Sequence, residues 1–369
     1  MPNKKEGLFY FMHIPWTWAK QRPQFLAQEL SQTFSVLIGY KKPFSKKNQS
    51  SETTGLNLLP IRMFPFNAKS ATVRFLNKII TKSKLKKKVS SCRYVWVTSP
   101  DLYDLLPDLK DDQILIYDCM DDMLSFSSIK DFPRTYNYYK SAERRLLSRS
   151  NLIICSSENL KEKLINRYDL KKDVLTINNG ISGSLFRPFS ASMKKAIIRR
   201  DDRKINIIYI GTIATWMDWE LILKSLDVNS NILYHFVGPN ESSIPLHDRI
   251  LVYGPQAHKE ITGIMEDADI LFMPFQVTDL IRSVNPVKLY EYIYAGKPSI
   301  SIRYEESEKF ENFVYLYSDF EEYMELISLI QDNCFRSKRD SVESREFCYK
   351  NTWAIRGQQI NDVLKKLHD

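Results

Sequence analysis

One segment in the second half of the chain combines a turn, a cation and a carboxylate at a spacing suited to binding a phosphate compound. The segment is Ser283–Ile300, SVNPVKLYEYIYAGKPSI. Asn285 and Pro286 predict a turn that opens a helix, and the free N–H groups at a helix start bind anions. Lys288, in the first turn, can pair with phosphate, and Glu291 follows on the same helical face. A carboxylate there can accept hydrogen bonds from a ribose diol, so the segment predicts nucleotide binding.

The same segment has a plainer interpretation, which is an ordinary capped helix with a surface Lys–Glu pair. Ala295-Gly296 ends the predicted helix with a glycine cap, and Pro298 opens the next strand. These features are expected of a helix whether or not it binds a ligand. The choice between the two interpretations depends on the other groups that the fold brings to the helix start.

A second cluster of candidate residues is acidic and follows a predicted strand. Tyr117-Asp118 ends the strand, so Asp118, Asp121 and Asp122 are expected at its carboxyl end. A carboxylate in that position could orient or deprotonate a substrate hydroxyl. The alternative is that these aspartates cap the segment that follows, as Asp after a strand commonly does.

The loop after the first predicted strand carries further candidates. His13 ends that strand and could donate or accept a hydrogen bond with a substrate, although a loop histidine satisfied by the fold fits equally well. Trp16 and Trp18 could stack on a ring face, but core packing is the commoner role of tryptophan. Arg22 precedes Pro23 at a predicted helix start, where a cation is unfavourable unless an anion lies nearby. This placement favours a binding role for Arg22.

These residues are positioned by a regular alternation of short apolar runs and helical patterns. Such alternation indicates βαβ units and parallel sheets, so the predicted class is α/β with two Rossmann-like halves facing a cleft. The predicted strands are Leu8–Met12, Phe34–Ile38, Tyr94–Thr98, Ile114–Tyr117, Leu152–Cys155 and Val174–Ile177 in the first half, and Ile205–Ile210, Ile232–Val237, Ile250–Val252, Ile270–Met273 and Ser299–Ile302 in the second. The predicted domains are 1–190 and 205–345, with 191–204 as the linker. Residues 346–369 are predicted to be helical.

Length and composition agree with two globular domains. The chain has 369 residues, of which 43% are hydrophobic and 26% charged, and no apolar run reaches the length of a membrane span. Five cysteines, none at C-x-x-C spacing, argue against a disulfide framework and a zinc site, so the expected location is the reducing cytoplasm. The N-terminal residues lack a signal-peptide pattern.

The net charge of +9 is unevenly distributed. The first hundred residues hold 18 Lys and Arg against 3 Asp and Glu, and no acid occurs between Glu52 and Asp101. Within this window, the segment Asn77–Arg93 contains six lysines. They alternate at helical spacing with apolar residues of the segment and of the two positions before it. Three interpretations compete: a solvated helix face, attachment to an anionic membrane surface, and nucleic-acid binding. The last is the least favoured because the sequence contains no zinc-finger, RNP or helix-turn-helix motif.

Taken together, the motifs resemble GT-B glycosyltransferases, in particular the large family 4 group. The Ser283–Ile300 segment looks like the donor-binding helix of that group, and Thr176–Pro188, TINNGISGSLFRP, is similar to its interdomain signature. IYIGT, ending in Gly211 and Thr212, resembles the turn that opens the donor domain, and FVGP, ending in Gly238 and Pro239, resembles a later strand end. Upstream, Trp16-Thr17-Trp18, Gln21–Gln24 and Tyr117–Asp122 resemble a narrower subgroup of teichuronic-acid (TuaH-like) and exopolysaccharide transferases.

The resemblance implies roles for these residues. The implied donor site consists of the residues Gly211, Thr212, Gly238, Pro239, Arg282, Ser283, Asn285, Pro286, Lys288 and Glu291. The implied catalytic residues are Asp121, Asp122 and His13, and the implied acceptor site consists of Trp16, Trp18, Arg22 and Asp118. The resemblance also implies that 1–190 binds the acceptor, that 205–345 binds the nucleotide, and that the helix in 346–369 packs back on the first domain. The sequence departs from the family in the donor region, where Ser283 replaces the first of two glutamates and Thr215–Asp218 lacks the usual basic residue. In the interdomain signature, Asn178 replaces a proline and Ser182 replaces an aspartate.

The resulting hypothesis is a metal-independent glycosyltransferase that uses a nucleotide sugar, most simply a UDP-sugar, as substrate and needs no cofactor. The resemblance implies that the reaction retains the anomeric configuration and that the acceptor is a lipid-linked saccharide in bacterial cell-surface polysaccharide synthesis. The basic 77–93 segment would hold the enzyme at the inner face of the membrane. Two alternatives stay open, a nucleotide-sugar 2-epimerase and an inactive GT-B subunit of a polysaccharide complex.

Overall fold

The computed structural model describes residues 5–18, 20–43, 55–186, 197–331 and 335–367. The chain divides into two compact units. Unit 1 comprises the residues up to Asn178 together with those from Trp353 onward, and unit 2 runs from Asn179 to Thr352. Pro188 of the predicted interdomain motif, positions 191–196 of the predicted linker and Cys334 lie outside the described residues.

Unit 1 is built on a parallel sheet of seven strands. The strands are β1 (Gly7–Met12), β2 (Ser35–Pro43), β3 (Asn57–Met63), β4 (Tyr94–Val97), β5 (Ile114–Cys119), β6 (Leu152–Cys155) and β7 (Val174–Thr176). Their order across the sheet is β3-β2-β1-β4-β5-β6-β7. Because the order reverses between β1 and β4, the carboxyl ends of these two strands flank the crevice where open α/β sheets bind ligands.

Helices connect the strands of unit 1. They are α1 (Arg22–Leu30), α2 (Ala71–Val89), α3 (Pro100–Tyr103), α4 (Ser127–Lys130), α5 (Pro133–Arg149) and α6 (Glu158–Tyr168). The central strands are buried on both faces: Leu8 to Met12 in β1 are all 0% exposed. This burial explains why their sequences are continuous apolar runs rather than alternating ones.

Unit 2 has a second parallel sheet, of six strands. The strands are β8 (Ile205–Ile210), β9 (Ile232–Val237), β10 (Ile250–Val252), β11 (Ile270–Met273), β12 (Ser299–Ile302) and β13 (Tyr315–Tyr317). The sheet order is β10-β9-β8-β11-β12-β13, so the reversal lies between β8 and β11. The helices are α7 (Trp219–Val228), α8 (His258–Glu266), α9 (Asp279–Arg282), α10 (Val287–Ala295), α11 (Glu305–Glu308), α12 (Phe320–Gln331) and α13 (Ser341–Tyr349).

The last helix, α14 (Trp353–Lys366), belongs to unit 1 and packs on α1. The rings of Trp353 and Phe25 stack with 5.1 Å between their centroids. Gly357 allows the close approach of the two helices, because a Cβ there would lie 2.7 Å from the Cβ of Glu29. The predicted fold class, with two Rossmann-like domains and a C-terminal helix that returns to the first of them, is confirmed.

Two edge strands, β3 and β13, are missing from the predicted series. In β3 the residues are mostly half-exposed and Pro60 interrupts the pattern, which is typical of an edge strand. Tyr315–Tyr317 is only three residues long and gives no periodic signal. Within the described ranges, none of the helices is both long and apolar enough to cross a lipid bilayer.

Candidate functional site

The glycine turns after β8 and β9 in unit 2 touch each other. The Gly211 N–H donates to the carbonyl of Val237 (2.9 Å), and the Ile213 N–H donates to the carbonyl of Pro239 (2.8 Å). Gly238 has a φ of +151°, and a Cβ built on it would lie 1.9 Å from the carbonyl oxygen of Gly211. Any side chain at Gly238 is therefore excluded, and the two turns that hold the predicted donor residues Gly211, Thr212, Gly238 and Pro239 are joined through their backbones.

Helix α10 begins beside a network of buried amides. Its N-cap is Pro286, which provides no side-chain acceptor for the first N–H groups. The Asn285 side chain accepts a hydrogen bond from the Asn179 N–H (3.0 Å) and donates one to Glu306 (3.1 Å). The Asn179 side chain in turn donates to the Asn285 carbonyl (2.9 Å). The start of α10 is thus fixed in position while its first turn keeps free donors.

Lys288 and Glu291 lie on one face of α10, as their spacing predicts. The ammonium of Lys288 is 2.8 Å from Glu291 Oε2. The lysine side chain is 31% exposed and can reach an anion in solvent, whereas the glutamate is 7% exposed. The Tyr292 hydroxyl accepts from the Ile210 N–H (3.0 Å), so α10 is tied directly to the end of β8 and its glycine turn.

The remaining predicted donor residues have partners in the protein. The guanidinium of Arg282 forms an ion pair with Glu305, 2.5 Å away, and both side chains are nearly half exposed. The Ser283 hydroxyl is buried and donates to the Asp279 carbonyl (3.3 Å), within its own helical turn. The exposed Arg282 pair is open to exchange with a ligand anion, whereas Ser283 fulfils a local bonding role.

In unit 1, Arg22 and Asp118 bind each other. The Nε and Nη2 atoms of Arg22 donate to Asp118 Oδ1 at 3.0 and 2.8 Å, and Nη1 donates to the carbonyl of Ile177 at 2.7 Å. The side chains are 2% and 0% exposed. The anion expected near Arg22 is therefore supplied by the chain itself, and the pair joins the start of α1 to the end of β5.

The neighbouring aspartates differ sharply. Both oxygens of Asp122 accept from Arg167, at 2.8 Å each, and Lys163 lies 3.6 Å away. Burial acts to raise the pKa of Asp122, but Arg167 outweighs it and the pKa is lowered. The carboxylate of Asp122 is thus held in an ion-pair network and is not free for a substrate.

Asp121 has no such partner. Within the described part of the chain, its carboxylate accepts no hydrogen bond and forms no salt bridge. Burial raises its pKa from 3.8 to about 6; the Arg22 guanidinium opposes this, and the carboxylates of Asp118 and Asp122 add to it. Asp121 is therefore the member of the acidic cluster that is available to bind a substrate hydroxyl.

His13 lies at the reversal point between β1 and β4. Its backbone N–H donates to Thr98 Oγ1 (3.1 Å), and its Nδ1 is 2.9 Å from the same oxygen. The Thr98 hydroxyl also lies 3.4 Å from the Phe11 carbonyl; when it donates there, Nδ1 carries the proton and Nε2 is the acceptor. Burial, reinforced by Lys41, lowers the pKa of His13 to about 4, and the ring is neutral.

The two tryptophans of the His13 loop are at the surface. Trp16 is half-buried, and Trp18 is 45% exposed. The backbone N–H of Trp18 donates to the Pro15 carbonyl (3.1 Å). Sequence reasoning missed Thr98, whose only signal is its place after a strand at the sheet reversal. It also missed Tyr292 and Arg167, which pair with residues distant in sequence.

Comparison with known proteins gives a consistent picture. No family model matches this sequence. A protein of Bacillus subtilis (strain 168), "Putative teichuronic acid biosynthesis glycosyltransferase TuaH", is 27% identical over 237 residues. The match covers 60% of this chain and 59% of the length of that protein.

Solved structures extend the comparison to nearly the whole chain. Sucrose-phosphate synthase of Thermosynechococcus elongatus has a TM-score of 0.72 at 12% identity, and the match covers 99% of each chain. HepE of Anabaena, in complex with UDP and glucose, has a TM-score of 0.69 at 13% identity over 98% of this chain and 99% of its own. These likenesses show the GT-B fold and confirm the resemblance to GT-B glycosyltransferases that the motifs predicted.

Proposed function

We propose that this chain, which has the GT-B fold, is a glycosyltransferase that moves a sugar from a UDP-sugar to a saccharide acceptor. The observation that carries the proposal is the Lys288–Glu291 pair on the first turns of α10, which Tyr292 ties to the glycine turn after β8. In this proposal unit 2 binds the nucleotide and unit 1 binds the acceptor. The Anabaena HepE complex with UDP and glucose supports uridine as the base.

On the donor side, each group has a distinct task. The Lys288 ammonium and the free N–H groups after Pro286 bind the diphosphate, and Glu291 accepts from the ribose hydroxyls. As the bond between the sugar C1 and the diphosphate breaks, negative charge grows on the diphosphate, and Lys288 stabilises it.

On the acceptor side, Asp121 is the proposed orienting group. With a pKa of about 6 it is mostly ionised at pH 7 and accepts a hydrogen bond from the acceptor hydroxyl. That oxygen bonds to C1 on the face that the diphosphate leaves, and the proton passes to the departing diphosphate oxygen. The configuration at C1 is retained. The Nε2 atom of His13 accepts a hydrogen bond from a second hydroxyl of either substrate. The rings of Trp16 and Trp18 stack on a sugar.

The finer assignment is that the acceptor is lipid-linked and serves cell-surface polysaccharide synthesis at the inner face of the membrane. Support comes from the Bacillus subtilis relative, whose name refers to teichuronic acid biosynthesis. Further support comes from the basic 77–93 segment, which belongs to the same unit as Asp121.

Calorimetric titration of the full chain separates the proposed tasks. We expect micromolar binding of UDP and weaker binding of GDP and ADP. Lys288→Ala should weaken the binding of both UDP and inorganic diphosphate by about 10- to 100-fold, because it removes a charge-assisted contact. Glu291→Gln should weaken UDP but leave diphosphate unchanged.

The matched control is Lys161→Ala, because Lys161 forms an i,i+3 pair with Glu158 on the surface of unit 1. It should bind UDP like the wild type. If Lys288→Ala binds UDP as tightly as this control, the donor site is wrongly placed. Sugar transfer to saccharide acceptors is measured by mass spectrometry. Nucleotide binding without transfer to any acceptor would favour the inactive-subunit alternative instead.

A further inference from the structure

Six large apolar side chains of unit 1 are exposed together on α2 and on the loop that precedes it. We call them the apolar patch: Phe64, Phe66, Phe75, Leu76, Ile79 and Ile80, with 41, 67, 61, 45, 51 and 47% exposure. On α2, these residues recur at helical spacing on the face opposite to the buried Asn77, Thr81, Leu85 and Val89. A soluble surface seldom exposes so many large apolar side chains within so short a stretch of chain.

The loop part of the apolar patch is held rigidly against α2. Asn77, 2% exposed, accepts from the Phe64 N–H (2.9 Å) and donates to the Phe64 carbonyl (3.1 Å). Arg74 donates to the carbonyls of Asn67 and Ala68, at 3.2 and 3.3 Å. The exposure of Phe64 and Phe66 is thus imposed by hydrogen bonds from the helix.

Phe66 also adopts a backbone conformation that is unfavourable for its residue type. Its φ is +66°, in the left-handed region, and its carbonyl accepts from the N–H groups of Lys69 (3.0 Å) and Ser70 (2.9 Å). Such strain in a bulky residue persists only where the surroundings enforce it, and it marks sites with a function. Here it keeps an aromatic ring in solvent.

Basic residues continue the exposed face of α2. Lys86 and Lys87 follow Phe75 and Leu76 by about three helical turns and so lie on the same side. No acid occurs in the sequence between Glu52 and Asp101, and Asp108 pairs with Lys82 at 3.0 Å. The face is therefore apolar in its first half and cationic in its second.

We propose that the apolar patch docks on an anionic lipid bilayer, with its six side chains in the interface and Lys86 and Lys87 on the headgroups. Charge complementarity favours this occupant, because the cationic second half of the face matches anionic headgroups and the apolar first half matches the interface below them. The docking stands independently of the proposed transfer reaction. A lipid-linked acceptor, however, rests on the proposed function.

The apolar patch is connected to the proposed acceptor site. Ala68, in the loop of the patch, packs on a small cluster formed by Leu124, Ile129 and Tyr139, and Met123 packs on the same cluster. Met123 directly follows Asp121 and Asp122 in the sequence. Docking would therefore hold Asp121 close to the bilayer surface, where the hydroxyl of a lipid-linked saccharide is available.

Co-sedimentation of the full chain with vesicles tests the docking. We expect binding to phosphatidylcholine vesicles that contain a third of phosphatidylglycerol, weakening as salt rises, and little binding to pure phosphatidylcholine. The triple variant Phe66→Ser, Phe75→Ser, Ile79→Ser should lose more than tenfold in partitioning. The double variant Lys86→Gln, Lys87→Gln should partition about 30-fold more weakly into these vesicles, because each lysine contributes roughly fivefold.

Two control variants make the same kinds of substitution elsewhere on the surface. Leu246→Ser with Val342→Ser removes exposed apolar residues of unit 2, and Lys171→Gln with Lys365→Gln removes exposed lysines. Both should bind the anionic vesicles like the wild type. An unchanged urea midpoint shows that the triple variant is folded, and its unchanged UDP affinity in lipid-free buffer separates docking from the donor site of unit 2.

Three results would overturn the proposal. The first is no binding of the wild type to the anionic vesicles, and the second is equal binding by the wild type and the triple variant. The third is a concentration-dependent dimer in lipid-free solution that the triple variant abolishes, because the apolar patch would then be a contact between copies. Failure of UDP to bind the wild type would reject the donor site and leave the docking result intact.

Discussion

Asn179 and Asn285 are 106 residues apart and are joined by two hydrogen bonds. The Asn179 N–H donates to the side-chain oxygen of Asn285, and the Asn179 side chain donates to the Asn285 carbonyl. Asn285 directly precedes the N-cap of α10 and is 2% exposed. The first segment of unit 2 thereby sets the start of the helix that carries Lys288.

Replacing Asn285 with alanine should therefore reduce both stability and nucleotide binding. It removes the acceptor of the Asn179 N–H and the donor to Glu306, at a cost of about 2–3 kcal/mol. We expect a lower urea midpoint and weaker UDP binding by calorimetry. The exposed Asn312→Ala is the control and should change stability by less than about 0.5 kcal/mol. Wild-type stability of Asn285→Ala would show that the amide network does not hold α10.

The sheets could be predicted from local patterns, whereas the partners in the site could not. Fully buried parallel strands produce continuous apolar runs, so strands such as β1 and β8 are visible in the sequence. The same rule fails for β3, whose residues are half-exposed. Lys288 and Glu291 were found because their pairing is local to one helix.

Long-range partners leave no local signal. Arg22 and Asp118 were each singled out as polar residues at element ends, but nothing in their spacing shows that they bind each other. Likewise, Asp121 and Asp122 are adjacent in sequence, and only the position of Arg167 on α6 distinguishes the bound carboxylate from the free one. Assigning their different tasks needs the tertiary structure.

The pair between Arg22 and Asp118 predicts a large loss of stability for single substitutions. Arg22→Met leaves a carboxylate at 0% exposure without its counter-charge, which costs about 3–5 kcal/mol. The double variant Arg22→Met, Asp118→Leu should be less destabilised than Arg22→Met, because no buried charge remains. Urea unfolding of the four proteins of this cycle gives the coupling. Additive losses would contradict the pairing.

Gly238→Ala should prevent or severely weaken folding of unit 2. Its Cβ would overlap the carbonyl of Gly211, and alanine is strained at a φ of +151°. Gly254→Ala is the matched control, because Gly254 also has a positive φ, +66°, but its Cβ would have no atom within 4 Å. We expect a loss of about 1 kcal/mol for the control and several times that for Gly238→Ala in urea unfolding. Similar losses for both would show that the turns separate readily.

Asp121→Asn and Asp122→Asn should change stability in opposite directions. The pKa of Asp121 is raised to about 6, so the folded state binds more protons than the unfolded state between pH 4 and 6. Its stability contribution is present at low pH and is lost as the pH rises through 6. Asp121→Asn should therefore be more stable than the wild type at pH 7, measured by thermal unfolding.

The lowered pKa of Asp122 has the reverse effect. Its ion pair with Arg167 stabilises the fold above the pKa of the unfolded chain and is lost as the pH falls through the folded value. Asp122→Asn should be less stable at pH 7 by about 1–3 kcal/mol. If both aspartates were helix caps, the two substitutions would not change stability in opposite directions.

Activity should distinguish the two aspartates as well. If Asp121 orients the acceptor, sugar transfer should fall as the pH drops below about 6, and Asp121→Asn should lose about 100-fold in kcat together with this pH dependence. Its UDP affinity should stay unchanged. An Asp121→Asn variant with full activity would remove Asp121 from the acceptor site.

His13 should stay neutral from pH 5 to 8, with the proton on Nδ1. Its pKa is lowered to about 4, so its contribution to stability is complete above pH 6.5 and is lost as the pH falls through 6.5 towards 4. Nitrogen NMR of the ring should show one protonated and one unprotonated nitrogen throughout that range. Thr98→Val removes the oxygen that fixes Nδ1–H and should give a mixture of tautomers and slower sugar transfer. Thr98→Ser keeps the oxygen and should restore both, whereas a wild-type tautomer in Thr98→Val would show that another group orients the ring.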